Sequence, residues 1–178
     1  MRIDNIKKGF TLVEMLIAIS ILTLLILAAF QVMVVGSSSW FTNNASVELR
    51  TDMIKAFAKM EREVKETRPS QISLGAGNTA TALTFRIPQD IDGNNSILNS
   101  NGNIEWSDDI TYALNTSQQI VRTASGTTTI VANNIVSLLF SRPVSPMNLL
   151  QIDVIAQRRS ASGQQLQDIG QILIKMRN

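Results

Sequence analysis

Lys7-Lys8-Gly9-Phe10-Thr11-Leu12-Val13-Glu14-Met15-Leu16-Ile17-Ala18-Ile19-Ser20-Ile21-Leu22-Thr23-Leu24-Leu25-Ile26-Leu27-Ala28-Ala29-Phe30-Gln31-Val32-Met33-Val34-Val35 decides how the rest of the chain is read. From Met15 to Val35 the polar residues are Ser20, Thr23 and Gln31. As an α-helix this run spans about 30 Å, the thickness of a bilayer's hydrocarbon core. Its Leu, Ile, Val and Ala lie on every side, so it has no polar face to lay along a membrane surface. A secretory signal peptide has a shorter apolar core, roughly 7–15 residues, that ends at a small-x-small site. Here the run is longer, and Gly36-Ser37-Ser38-Ser39 makes a poor cleavage site. A membrane span within residues 10–35 is predicted.

The charge distribution supports that reading. The 178 residues carry 16 Lys+Arg and 14 Asp+Glu, a net +2, with no His and no Cys. Arg2, Lys7 and Lys8 against Asp4 place the whole +2 in residues 1–9, a positive head of the kind that keeps an N-terminus cytoplasmic. Residues 10–178 balance, so the pI of about 9.2 describes no basic patch, and no nucleic-acid partner is expected. Without His and Cys, imidazole bases, thiolate nucleophiles, disulfides and ordinary zinc or haem ligand sets are excluded.

Glu14 is the anomaly. A carboxylate at the edge of a span costs up to roughly 2.5–3.5 kcal/mol on insertion scales and calls for a partner. No basic residue follows until Arg50. The order of a basic leader, Gly9, Phe10, Thr11-Leu12-Val13-Glu14 and a long apolar helix resembles the prepilin junction of the type IV pilin family, which includes the pseudopilins of type II secretion. That resemblance implies cleavage between Gly9 and Phe10 by a prepilin peptidase on the cytoplasmic face, with Lys7 and Lys8 as leader charges. It implies N-methylation of Phe10, and recognition of an N-terminal amine by Glu14 during assembly. The geometry is compatible. Cleavage would place the Phe10 ammonium about one turn from Glu14, and a subunit shifted by one turn could offer its own ammonium to this carboxylate.

No Pro lies between residue 1 and Arg68-Pro69, so the helix is expected to continue to that pre-proline stop, with Gly36–Ser39 as its weakest point. Residues 36–68 read as a soluble continuation. There Leu49, Met53, Phe57, Met60 and Val64 share one face, and Lys59/Glu63, Glu61/Lys65 and Arg62/Glu66 are spaced for i,i+4 pairing. From Pro69 the period changes to two. Leu83-Phe85-Ile87, Ile110-Tyr112-Leu114, Val136-Leu138-Phe140 and Ile152-Val154-Ala156 alternate, and Ile172-Leu173-Ile174 suggests a last strand. Asp92-Gly93-Asn94, Ser125-Gly126-Thr127 and Ser162-Gly163-Gln164 mark turns, with Arg158-Arg159 beside a hairpin tip. The expected fold is α+β: a long N-terminal transmembrane spine helix and a small antiparallel β-sheet head over 69–178. This is similar to the lollipop plan of pilins, and most like minor pseudopilin J and related minor pilins. That likeness rests on Met60-Glu61-Arg62-Glu63-Val64, Tyr112-Ala113-Leu114 and Asn134 to Phe140.

Other sites lose to simpler readings. Asp90-Ile91-Asp92-Gly93-Asn94-Asn95 hints at a calcium loop, but the sixth and twelfth positions of an EF-hand hold Asn95 and Asn101, so an Asx/Gly turn is expected. Glu105, Asp108 and Asp109 read as turn capping rather than a glycosidase pair. Trp40 reads as a membrane-edge aromatic and Trp106 as core. No cofactor and no catalytic residue are expected. The resemblance implies an inner-membrane, single-pass subunit with a periplasmic head. Its partners would be other pilins or pseudopilins, met through helix and head, and it would serve a type II secretion pseudopilus. The rival readings are a minor pilin of a type IV pilus for motility, adhesion or DNA uptake, and a membrane-anchored binding domain or enzyme.

Overall fold

Nothing in residues 12–66 forbids a helix, and the computed structural model, which describes residues 10–177, is one α-helix, α1, over Leu12–Glu66. Gly36–Ser39 is helical with the rest, and Ser37 Oγ donates to Val34 O at 3.0 Å. The helix ends where proline chemistry requires. Arg68, before Pro69, is extended at φ −108° and ψ 154°, as the clash with the proline ring dictates, and a single 3-10 turn follows over Pro69–Gln71.

The chain divides into two compact units at the Phe41/Thr42 boundary. In the first, every residue of the helix up to Phe41 is exposed. In the second, α1 buries Ala45, Leu49, Met53, Ala56, Met60 and Val64 along one face, with Phe57 partly buried beside them. The burial confirms the predicted stripe.

Among the described residues, eight strands follow in the second unit: β1 (Thr79–Ala80), β2 (Ala82–Phe85), β3 (Ile110–Leu114), β4 (Ile120–Ala124), β5 (Thr127–Ala132), β6 (Ile135–Ser141), β7 (Leu149–Arg159) and β8 (Gln165–Lys175). They form two four-stranded antiparallel sheets, the meander β2-β3-β4-β5 and the sheet β1-β6-β7-β8, where the alternating pattern had suggested one sheet of short strands. Strands β7 and β8 are 11 residues each, paired from Leu149↔Lys175 to Arg159↔Gln165. Alternation along β7 buries Leu150, Ile152, Val154 and Ala156, as expected.

Two expectations fail for local reasons. A register shift between Ile135 and Ser137 turns Ile135 inward with Leu138 and Phe140 and leaves Val136 exposed, because an extra residue breaks strict period two. Ile87 lies beyond the end of β2. Its N–H is held by Ser107 Oγ and its carbonyl by Ser107 N–H, so the chain there joins a loop instead of the ladder.

Two contacts fix how the elements close. Gly170 in β8 meets the helix so tightly that a Cβ would stand 2.6 Å from Phe57 Cε2 and 3.0 Å from Met53 Sδ. Arg142, buried, donates to three backbone carbonyls, those of Met147, Pro69 and Leu74, joining segments more than 60 residues apart in sequence.

Candidate functional site

The first turn of α1 is built by Thr11 and Glu14. Thr11 precedes the first helical residue, and its backbone N–H donates to Glu14 Oε2 at 2.8 Å, while Glu14 N–H donates to Thr11 Oγ1 at 3.3 Å. This reciprocal pair is a capping box, with the carboxylate also placed at the positive end of the helix dipole. The Thr11 hydroxyl adds a third bond to Oε2 at 3.0 Å. Glu14 therefore has a local task in addition to any partner it meets. Oε1 accepts no hydrogen bond among the described residues and keeps its lone pairs available. The isolation of Glu14 from other charges gives no sign of this, although Thr-x-x-Glu before an apolar run is a recognisable cap signature.

Phe10, the expected new N-terminal residue, stands two residues before the helix and is 86% exposed. Gly9, Lys7 and Lys8 lie outside the described residues. Beyond the cap the helix is long and apolar enough to cross a membrane, with a mean hydropathy of 2.6 over its most apolar window. Two of the span's polar side chains are satisfied within the helix. Ser20 Oγ donates to Leu16 O and Thr23 Oγ1 to Ile19 O, each at 2.8 Å. Trp40 and Phe41 stand edge to face at 5.3 Å, both exposed, as befits an aromatic pair past the end of a span.

In the second unit, the main polar cluster joins α1 to β3 and β4. Glu63 is spaced to pair with Lys59, but its carboxylate instead turns inward. Arg122 Nε of β4 donates to both Glu63 oxygens at 3.0 Å, and Tyr112 of β3 donates its hydroxyl to Oε2 at 2.9 Å. Burial first, and the Glu63 charge second, raise the Tyr112 pKa well above its ordinary range. For Arg122, burial acts to lower the pKa, but the Glu63 hydrogen bond and charge outweigh it, so the guanidinium stays firmly protonated. These groups lie 49 and 59 residues from Glu63 in sequence, so no local spacing could reveal them. The expected Glu61/Lys65 pair does form, at 2.6 Å on the solvent side. Glu48 pairs with Arg158 near the β7–β8 hairpin tip.

The Asp90–Asn95 loop behaves as a turn. Asp90 accepts the N–H groups of Gly93 and Asn95, each at 2.8 Å, and Asp92 accepts that of Asn94 at 3.1 Å. Glu105 arrives from across the loop to accept the Ile91 N–H at 2.7 Å, so Asp90, Asp92 and Glu105 bring carboxylate oxygens within 4.8 Å of one another. These carboxylates are already engaged with backbone N–H groups, which suits a self-capped loop. Trp106 is half-buried in an isolated bridge to Pro88 rather than in the core.

Comparison with protein-family models matches one, described as the prokaryotic N-terminal methylation motif, over residues 4–30. No curated protein and no solved structure gives a significant match to the chain. The matched segment includes the capping box and most of the apolar run.

Proposed function

We infer that this chain, which carries at its N-terminus the methylation motif of the type IV pilin-like family, is a structural filament subunit of the minor pilin or pseudopilin kind. The carrying observation is that the motif opens a long apolar helix whose first thirty or so described residues are all exposed. Such a surface is satisfied in sequence, first by lipid and then by the helices of neighbouring subunits. In this reading the chain inserts with its N-terminus in the cytoplasm and its head in the periplasm, is cleaved between Gly9 and Phe10, and is methylated on the Phe10 amine. Glu14 Oε1 then accepts a neighbour's N-terminal ammonium while Oε2 keeps the helix capped. Within this class we assign the chain to the pseudopilus of a type II secretion system, on the likeness of its helix ending and head strands to minor pseudopilin J. Recovery in purified type IV pili would transfer it to that machine.

The test is the mature N-terminus, read by mass spectrometry from the native membrane. A methylated Phe10 is expected, with Gly9→Ala leaving the leader attached. An unprocessed N-terminus in the wild type would overturn the reading. In a processed Glu14→Ala variant, reduced incorporation beside other pilin subunits is expected, and undiminished incorporation would refute the ammonium pairing.

A further inference from the structure

From Met15 to Val35 the helix holds three polar side chains, and they are treated differently. Ser20 and Thr23 each bond back to a carbonyl one turn earlier, whereas the Gln31 amide has no hydrogen-bond partner among the described residues. In water this would mean nothing. Inside a bilayer, an amide that can both donate and accept is costly when it does neither. Gln31 lies four residues before Val35, about 6 Å inside the end of the run, and Trp40 lies further out still. Helical side chains lean toward the N-terminus, which in an N-in span points the amide toward the bilayer centre and away from the nearer water.

We propose that Gln31 is the hydrogen-bonding site through which two copies of this chain pair as parallel helices in the membrane before assembly. The proposal rests on the N-in membrane reading above. Two copies inserted the same way carry Gln31 at the same depth, and the amide is its own complement, donating to and accepting from its counterpart. A helix without a polar group at that level leaves Gln31 unmet, so the same contact selects against such a partner and fixes the register of the pair. Room for approach is present beside it. Gln31, Val32, Val35 and Gly36 line a shallow concavity, and Gly36 has no atom within 4 Å of where a Cβ would stand.

The absence of Cys from the sequence makes the test direct. Single-cysteine variants of the full chain, reconstituted in phosphatidylcholine–phosphatidylethanolamine vesicles, are oxidised and the cross-linked dimer is measured. Ala28→Cys and Val35→Cys flank Gln31 on its face, within about 60° round the helix, whereas Ile26→Cys and Met33→Cys lie on the far side. Preferential cross-linking at 28 and 35 is expected. Adding Gln31→Leu should reduce it roughly three- to thirtyfold, and Gln31→Asn should largely preserve it. Equal cross-linking on both faces, or no change in Gln31→Leu, would overturn the proposal while leaving the filament reading intact. Release of the wild-type chain from vesicles by an alkaline carbonate wash would overturn the membrane reading, and this proposal with it.

Discussion

Leu12 to Phe41 and Thr42 to Glu66 belong to one helix, yet the first stretch buries none of its residues and the second buries a complete face. The first is apolar on all sides and carries its charge only at Glu14. The second is apolar on one stripe and densely charged elsewhere. Backbone geometry is the same in both, so helix formation alone does not distinguish them. What differs is the solvent each expects: the uniform surface suits lipid and other helices, and the striped surface suits a sheet on one side and water on the other.

The sharpest way to break this contrast is to truncate matched side chains in the two stretches. Met60→Ala, at a fully buried position, should lower the unfolding free energy by about 2–5 kcal/mol, whereas Leu24→Ala should leave it unchanged. Near-UV circular dichroism of the full chain in detergent through a denaturant titration would show this, and equal effects would erase the distinction. Next comes the polar anchor of the striped stretch. Glu63→Gln, which strands the partly buried Arg122, should cost about 2–3 kcal/mol, and adding Arg122→Met should recover part of the loss. No recovery in that double variant would mean that the carboxylate acts mainly through Tyr112.

Gly170→Ala tests the close approach of β8 to the helix. The new methyl would force Phe57 aside at a cost of about 1–3 kcal/mol, and Phe57→Leu in the same chain should relieve it. The smallest effect is in alkali. Tyr112 keeps its proton in the folded state to a pH well above the ordinary 10.0, so the unfolded chain loses that proton first. Stability from this source is complete well below pH 10.0 and falls as the pH rises through and beyond it, with a slope that approaches about 1.4 kcal/mol per pH unit. Tyr112→Phe should flatten that decline, which stability measurements on either side of pH 10.0 would reveal.

The long apolar helix was legible because absence of charge over a long run has few causes, and the buried stripe because 4-4-3-4 spacing survives any detail of packing. Strands β3 and β7 were legible for the same reason at period two. The second sheet was not, since alternation marks strands without saying which of them pair. The bulge at Ile135–Ser137 escaped because one added residue reverses the facing of everything before it. At the candidate site, Glu14 stood out by its isolation, but its bond to Thr11 needed attention to caps rather than to charge. Glu63 reads as a partner of Lys59 because an i,i+4 lysine is always close in sequence, while the partners it takes become close only in the folded head.

The order of the elements also has a meaning in time. Helix α1 is made first, and every strand that covers its buried face is made later. A chain under synthesis therefore holds Leu49, Met53, Met60 and Val64 bare, and Glu63 without Arg122, until the sheets have followed it. The closing contacts run between distant parts of the sequence, which slows their formation. Until they form, the nascent head presents an apolar, half-finished surface, and that interval is when the chain is most open to aggregation.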